Sequence, residues 1–435
     1  MIEIIETSQS GKRHEKVTYH GEKATNQDEI LIDDITSFDQ TMQGFGGAFT
    51  EASAYNLTRV HQDVRHSLIK KYFDPIEGIG YSMGRISINS SDFGLNTYDY
   101  VDPYDETLKS FDITRDQHII DLILDAQTIS GKQIEIVASP WSPPFWMKDN
   151  QSAIKGGKLL KTYYRLWANY IVLFIKAYQE KGINIQALTI QNEPMANQRW
   201  ESCLYDAEDE KEMVLVLGEV LEEHALDIKL YIWDHNRDEM YARASHILND
   251  KQASSYVYGI AFHWYDQNQF LEVKKTHDAF KDKHLLFTEG CQEGGPHLHS
   301  YAVAERYGKN MMYDIFHGTE GYIDWNLFLD TTGGPNHVNN LCSSPVMVDV
   351  FPEQPILNPS YYYIKHFSKH ITKGSKRIIS SSQSIMHNVF LRPDGAYVIV
   401  LMNDQEHDYH VYSRHSLLKF DTKLPAHSIQ TIVIK

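Results

Sequence analysis

The chain has 435 residues, enough for one large α/β barrel and an accessory module. It is 42% hydrophobic and 23% charged, an ordinary globular balance, while 12% aromatic residues, with 27 Tyr and 7 Trp, supply rings on which sugars and bases stack. A net charge of −17 argues against a nucleic-acid partner, because phosphate binding needs a positive face, and it favours a neutral ligand.

The N-terminal stretch MIEIIETSQSGKRHEK lacks a basic segment followed by an apolar one, so no secretory signal is read and a cytoplasmic location is expected. No run of about 18 apolar residues predicts a membrane span. From about residue 40, short β-like apolar runs alternate with longer helical stretches. Eight such runs are predicted: Met42 to Gly47, Gly80 to Ile88, Ile134 to Pro140, Ile185 to Glu193, Lys229 to Asp234, Tyr258 to Tyr265, His284 to Gly290 and Tyr322 to Leu329. Helices are expected between them, as at Thr114 to Ser130 and Thr162 to Lys181, and the last at Tyr361 to His370. Beyond, Tyr397 to Met402 and Ile429 to Ile434 have strand character. Near-continuous apolar strands alternating with helices predict an α/β fold, a (β/α)8 TIM barrel over residues 41–373. Residues 1–40 plus 374–435 are expected to form one accessory β-sandwich-like domain, fixed to the barrel without a long linker.

In such a barrel the site forms at the C-terminal ends of the strands. Those ends carry Ser90-Ser91-Asp92-Phe93, Trp141 to Trp146, Asn192-Glu193, Asp234 to Arg237, His263-Trp264-Tyr265, Glu289-Gly290-Cys291 and Trp325-Asn326. Rings to cover an apolar sugar face, with acids, amides and imidazole to bond hydroxyls, suit a carbohydrate. Glu193 and Glu289 each end a strongly apolar run, on strands four and seven of the predicted eight, which lie roughly across a closed barrel. Two opposed carboxyls are the machinery of glycoside hydrolysis. The plainer reading of either acid is a solvated or capping group.

Other features carry less chemistry. His297-Leu298-His299 has no third metal ligand at suitable spacing, so no metal and no cofactor is predicted. Gly44 to Gly47 and Gly333-Gly334-Pro335 lack phosphate-loop spacing and read as turns. Cys203, Cys291 and Cys342, odd in number and widely spaced, read as free thiols, Cys291 as a small buried side chain.

An ordered set of motifs resembles glycoside hydrolase family 30. It comprises Gly44 to Glu51, Gly84 to Ile88 with Asp92-Phe93, Ala138 to Trp141 with Trp146-Met147-Lys148, Asn192-Glu193-Pro194, His263-Trp264-Tyr265, Thr288 to Cys291, Asp324-Trp325-Asn326, Gly333 to Asn336, Asp349 and Tyr362 to Ser368 with Gly374-Ser375. The resemblance implies a retaining β-glycoside hydrolase of β-glucosidase or glucosylceramidase type, with Glu193 as general acid/base and Glu289 as nucleophile. It further implies a sugar subsite lined by Asp92, Trp141, Asn192, Trp325 and Asn340, with His263 and Tyr265 supporting the nucleophile side. Retention requires the two carboxyls about 5 to 5.5 Å apart. The sequence departs from the pattern at His337, where a lysosomal member of the family carries tryptophan, and in a shortened Met195 to Cys203 segment. Both border the leaving-group side, so the expected substrate is a small β-glycoside or oligosaccharide with its aglycone open. β-Xylosidase, β-fucosidase and β-1,6-glucanase activities are the alternatives within the family. A non-catalytic carbohydrate-binding protein is the alternative outside it.

Overall fold

The computed structural model describes residues 2–19, 24–266 and 268–435. Eight parallel strands close into a barrel in chain order: β1 (Gly44–Ala48), β2 (Met83–Ile88), β3 (Glu135–Pro140), β4 (Ile185–Thr189), β5 (Lys229–Asn236), β6 (Val257–His263), β7 (His284–Glu289) and β8 (Thr319–Asn326). Helices cover it on the outside, which is why the strands are apolar on both faces. Helix Tyr164–Glu180 shows the pattern: Trp167, Ile171, Phe174, Ile175 and Tyr178 fall three and four residues apart and are buried.

The barrel interior is built in layers, because side chains two residues apart on a strand point the same way. Met83, Val137, Ala187, Tyr231, Ala261, Leu286 and Ile323 form a dry apolar layer. One pleat further toward the C-terminal ends stand Arg85, Ser139, Thr189, His263, Thr288 and Trp325, all buried. Polarity thus changes within a single pleat, and the site rests on an apolar plug.

Gly44–Ala48 is a strand, whereas its glycines alone read as a turn. A Cβ on Gly46 would stand 2.2 Å from the carbonyl oxygen of Met83 on the neighbouring strand, so only glycine lets β1 and β2 pair at this register. Gly46→Ala is expected to destabilise the fold by about 3 kcal/mol, the upper end of overpacking penalties. Chemical denaturation measures this, and unchanged stability would contradict the close packing.

A seven-stranded sheet lies beside the barrel, in the order Arg13–Val17, Ile2–Ser8, Ser428–Ile434, Tyr397–Asn403, Met386–Leu391, Lys376–Ile378 and Phe38–Thr41. A three-stranded sheet of Phe420–Leu424, Tyr409–Ser413 and Asn26–Glu29 faces it across a core that includes Val389, Ile399, Val411, Leu424 and Ile432. Both termini therefore supply one β-sandwich. Its link to the barrel is buried, apolar where Ile5, Val398, Val400, Met402 and Ile429 join the barrel's own core, and polar where the Gln40 amide donates to the Ile315 and Thr319 carbonyls and His366 bonds Thr7 and Thr431. Among the described residues no helix is long and apolar enough to cross a membrane.

Candidate active site

Among the strand ends that differ from the sequence reading, three shape the site. β4 stops at Thr189, and Glu193 lies beyond it in a left-handed turn with φ 48°. The turn is held by Glu193 N–H donating to Asp234 O at 3.0 Å and Asn192 N–H donating to Pro140 O at 2.9 Å. A non-glycine residue in that region costs about 1–3 kcal/mol, a cost that surrounding structure must offset. β5 runs on to Asn236, and a register shift against β6 places Trp233 (φ 76°) and Asp234 (φ 54°) in an irregular stretch. That bulge leaves the Asp234 carboxylate inside the barrel. β8 ends at Asn326, and Phe328–Asp330 joins a separate small sheet.

The two glutamates meet in one cavity of about 340 Å³, also lined by Asp92, Trp141, Asn192, Tyr265, Trp325 and Asn340. One carboxylate oxygen of Glu193, one of Glu289 and a ring nitrogen of His263 all lie within 4.8 Å of one another. His263 does not face the cavity; it is fully buried, with Nδ1 3.2 Å from Glu193 Oε1 and Nε2 3.0 Å from Asp234 Oδ1. It thus bonds Glu193 directly and also lies within 4.8 Å of Glu289, so it attends both acids, where the resemblance names the nucleophile side. Tyr265 does attend the nucleophile, its hydroxyl donating to Glu289 Oε1 at 3.0 Å.

Arg85 and Asp234 organise the pair, and neither was assigned a role from sequence. Arg85 Nη1 donates to Glu289 Oε2 at 2.6 Å, Nη2 donates to Asn192 Oδ1 and Asp234 Oδ2, both at 2.8 Å, and Nε donates to Ser139 Oγ at 3.1 Å. Asp234 accepts also from Thr189 and Thr288 hydroxyls, at 2.6 and 2.5 Å. The signal available was an arginine within an apolar strand, which must find buried partners. With its oxygen bonded to Arg85, the Asn192 amide keeps its N–H face for a ligand. Trp141 and Trp325 stack at 5.3 Å with Arg85 4.8 Å above the first ring. Asp92 Oδ2 accepts from Asn340 Nδ2 at 2.9 Å.

Several rim residues expected at the strand ends lie elsewhere. Trp146 packs against Tyr104 and Tyr163, Trp264 packs on Tyr307, and Arg237 is buried in a bonded cluster with Asn310 and Asp314. The rim instead gains Gln198, Trp200, His235, Asn236 and Glu293, three of them beyond the residues singled out from sequence.

The electrostatics result from burial and from these partners. Burial opposes a charged His263, but Glu289, Asp234 and Glu193 outweigh it and raise the imidazole to about 9. Burial likewise opposes the Asp234 anion, yet Arg85 and His263 hold its carboxyl well below the usual range. At Glu193 burial is countered by the His263 bond and by the charges of His235 and Arg85, and the net direction is down. At Glu289 burial prevails over His263 and Arg85, the charge of Glu193 adds to it, and the carboxyl is raised. Asp92 is pushed up to about 8 by burial and by Glu289.

Among the described residues, Glu193, His263 and Glu289 are the group whose atoms come near enough to share a cation. Arg85 already supplies a buried positive charge against Glu289. His297 Nε2 bonds the Glu293 carbonyl, and His297 and His299 join no such group.

Comparison with known proteins agrees with this architecture. Residues 42–371 match the glycosyl hydrolase family 30 TIM-barrel domain and residues 374–432 the family 30 beta sandwich domain. The lysosomal acid glucosylceramidase of Mus musculus is 33% identical over 90% of this chain and 81% of its own length. The crystal structure of SrfJ from Salmonella typhimurium superposes with a TM-score of 0.93 at 30% identity, covering all of both chains. The endo-beta1,6-glucanase BT3312 superposes with a TM-score of 0.88 at 28% identity, over 100% of this chain and 99% of that one.

Proposed function

Since the chain belongs to glycoside hydrolase family 30 and is an O-glycosyl hydrolase, we propose that it cleaves β-glucosides with retention, using Glu289 as nucleophile and Glu193 as general acid/base. The observation that carries the reading is that one oxygen of Glu193 and one of Glu289 come within 4.8 Å across the same cavity, the nearest approach of the two groups. Inverting enzymes keep their acids about 6.5–9.5 Å apart to admit a water between them, so the narrow gap favours direct attack.

The contacts suggest the order of steps. His263 holds Glu193 Oε1, leaving Oε2 to carry the proton toward the glycosidic oxygen. Without a ligand the net directions run against these roles, Glu193 lowered and Glu289 raised. A bound sugar removes the remaining water and raises both, so reaction needs the proton of the pair on Glu193, with Arg85 and Tyr265 donating to Glu289 to hold its charge. As Glu289 attacks the anomeric carbon, Glu193 gives its proton to the departing oxygen. The ester at Glu289 is neutral, so its raising effect on Glu193 and His263 ends and Glu193 can take a proton from water. Asn192, oriented by Arg85, is placed to bond the sugar 2-hydroxyl, a bond that strengthens as the ring flattens.

The names of the glucosylceramidase and the glucanase both specify a glucosyl unit, which supports glucose at the sugar subsite, and they differ in the group to which that unit is attached. A glucosylceramidase-like or small β-glucosidase activity is the main reading. A 1,6-linked glucan is favoured as second substrate by the polar rim of Gln198, Asn236 and Glu293, which suits a hydroxylated aglycone better than a lipid chain. Three cysteines present as free thiols fit a reducing, cytoplasmic location.

Glu193→Gln tests the acid role. It should slow an alkyl or sugar β-glucoside by about a thousandfold or more, while a nitrophenyl glucoside, whose leaving group needs no proton, loses far less in its first step. Steady-state kinetics across leaving groups reads the difference, and an equal slowdown throughout would remove Glu193 from that role.

A further inference from the structure

We propose that His337 and Glu201 form a charged clasp that positions Asp92 and Asn340, making His337 a positioning residue for sugar affinity. The proposal rests on Asp92 and Asn340 being sugar ligands. Three loops meet at the clasp, and neither His337 nor Glu201 was assigned a role from sequence.

Glu201, on the loop after Glu193, is 2% exposed, and its Oε1 accepts from the Ser90 hydroxyl at 2.8 Å and lies 3.3 Å from His337 Nε2. Ser90 belongs to the loop after β2 that carries Asp92, and His337 to the loop after β8 that carries Asn340. The other His337 nitrogen, Nδ1, lies 2.8 Å from the Gly94 carbonyl, and the His337 backbone N–H donates to the same oxygen at 3.1 Å. Nδ1 thus hydrogen-bonds the Gly94 carbonyl, while Nε2 faces the Glu201 carboxylate at ion-pair distance, a contact that is attractive when both ring nitrogens of His337 carry hydrogen and the ring is charged.

Its surroundings favour that charge. Glu201 and Asp92 both raise His337, as does the Gly94 carbonyl, against partial burial, and the Thr97 hydroxyl stands 3.5 Å from Nε2. Glu201 in turn is held below its ordinary value, burial being outweighed by His337, a backbone N–H and Ser90. Its second oxygen is buried with no hydrogen-bond partner, and His337 is the cation in contact with this carboxylate, the buried Lys148 acting on it at longer range. Arg199 adds a weaker link between the same loops through the Asn339 carbonyl at 3.4 Å. Within the third loop the Asn336 side chain accepts from Asn340 N–H and donates to its carbonyl, so the hold on His337 passes to Asn340 and from there to Asp92.

The clasp should therefore act on KM and spare kcat, because it touches neither reacting atom nor either acid. His337→Asn retains a donor toward Gly94 and loses the one toward Glu201; His337→Gln does the opposite and carries no charge. With a nitrophenyl β-glucoside as substrate and glucose as competitor, His337→Asn is expected to raise KM and the glucose inhibition constant together by about tenfold, the loss of one charge-assisted bond, with kcat within about twofold. His337→Gln should recover most of that affinity.

The pH dependence separates clasp from scaffold. A raised histidine contributes fully below its ordinary pKa and is lost as pH rises through the raised value. In the wild type, KM should climb as His337 deprotonates; Glu201→Gln should move that climb to lower pH, and His337→Gln should abolish it. Glu201 also raises Asp92 and Asp99, the latter pushed up to about 7 chiefly by burial, so Glu201→Gln moves those carboxyls as well; His337→Gln leaves Glu201 in place, and the loss of the climb in that variant is what belongs to the clasp. Unchanged KM and inhibition constant in His337→Asn, a fall in kcat matching the rise in KM, or a Glu201→Gln profile that overlies the wild type would each overturn the proposal. Glucose binding measured by calorimetry on wild type and His337→Asn reads the clasp even where no β-glucoside is turned over, an outcome that would reject the proposed reaction instead.

Discussion

Replacing Glu289 with Gln is expected to lower kcat on an activated β-glucoside by at least about ten-thousandfold, some 5.5 kcal/mol of transition-state stabilisation. An amide of the same shape turns its oxygen to Arg85 Nη1 and its NH2 to the Tyr265 hydroxyl, which then accepts, so the cavity is kept and sugar binding should survive. What is lost is the electron pair that forms the bond to the anomeric carbon. Steady-state rates together with calorimetric binding of glucose separate the two effects. Equal kcat in both forms would remove Glu289 from the nucleophile's role, and loss of binding and rate together would mean the variant had disturbed the pocket.

Arg85→Met carries the second large effect, because it acts on stability and on chemistry at once. Methionine fills a similar volume between Trp141 and Asp234 but leaves the buried Glu289 without its paired arginine and Asp234 with His263 alone. Breaking a buried ion pair in this way costs about 3–5 kcal/mol. The sign of the pH effect is fixed by Arg85's own influence, which lowers both acids. A lowered carboxyl contributes stability above the ordinary carboxylate pKa, and that contribution disappears as pH falls through the lowered value. Without Arg85 the Asp234 share is lost at neutral pH, and Glu289, already raised by burial, rises further. Less of it is then ionised at any given pH, so the acid limb of kcat/KM should move to higher pH. Denaturation curves and a pH–rate profile check both parts; an acid limb that stays in place would show that Arg85 does not govern the nucleophile's charge.

The barrel was readable because its physics is local in sequence. Each strand is a short run such as Leu285-Leu286-Phe287, apolar because helices cover one face and the barrel core the other, and Glu289 is visible as the residue where that run stops. Glu193 was visible for a less direct reason: its strand ends four residues earlier, and a left-handed turn brings it to the rim. Periodicity has no term for such a turn. Arg85 stands in a motif already picked out, yet nothing in Met83 to Ile88 tells which acids answer it, since Asp234 and Glu289 are 149 and 204 residues away. Asp234 reaches the interior through an irregularity in β5, and a bulge is a property of two strands, not of one segment. His337 and the segment holding Glu201 were noticed only as places where the pattern departs, because their meaning lies in a contact between two loops. Gly46 reads two ways, inside the strand run Met42 to Gly47 and within a glycine cluster that suggests a turn, and the neighbouring carbonyl decides for the strand.

Direct attack by Glu289 requires a gap too narrow to hold a sugar and an attacking water together. Incubating the protein with an activated 2-deoxy-2-fluoro-β-glucoside tests it directly, since the fluorine slows both steps while a good leaving group keeps the first one ahead of the second. Mass spectrometry of the digested protein should find one sugar, attached to the peptide that contains Glu289. A sugar on any other residue, or an unlabelled protein whose first-formed product from an ordinary β-glucoside has the α configuration, would contradict the double displacement proposed for this site.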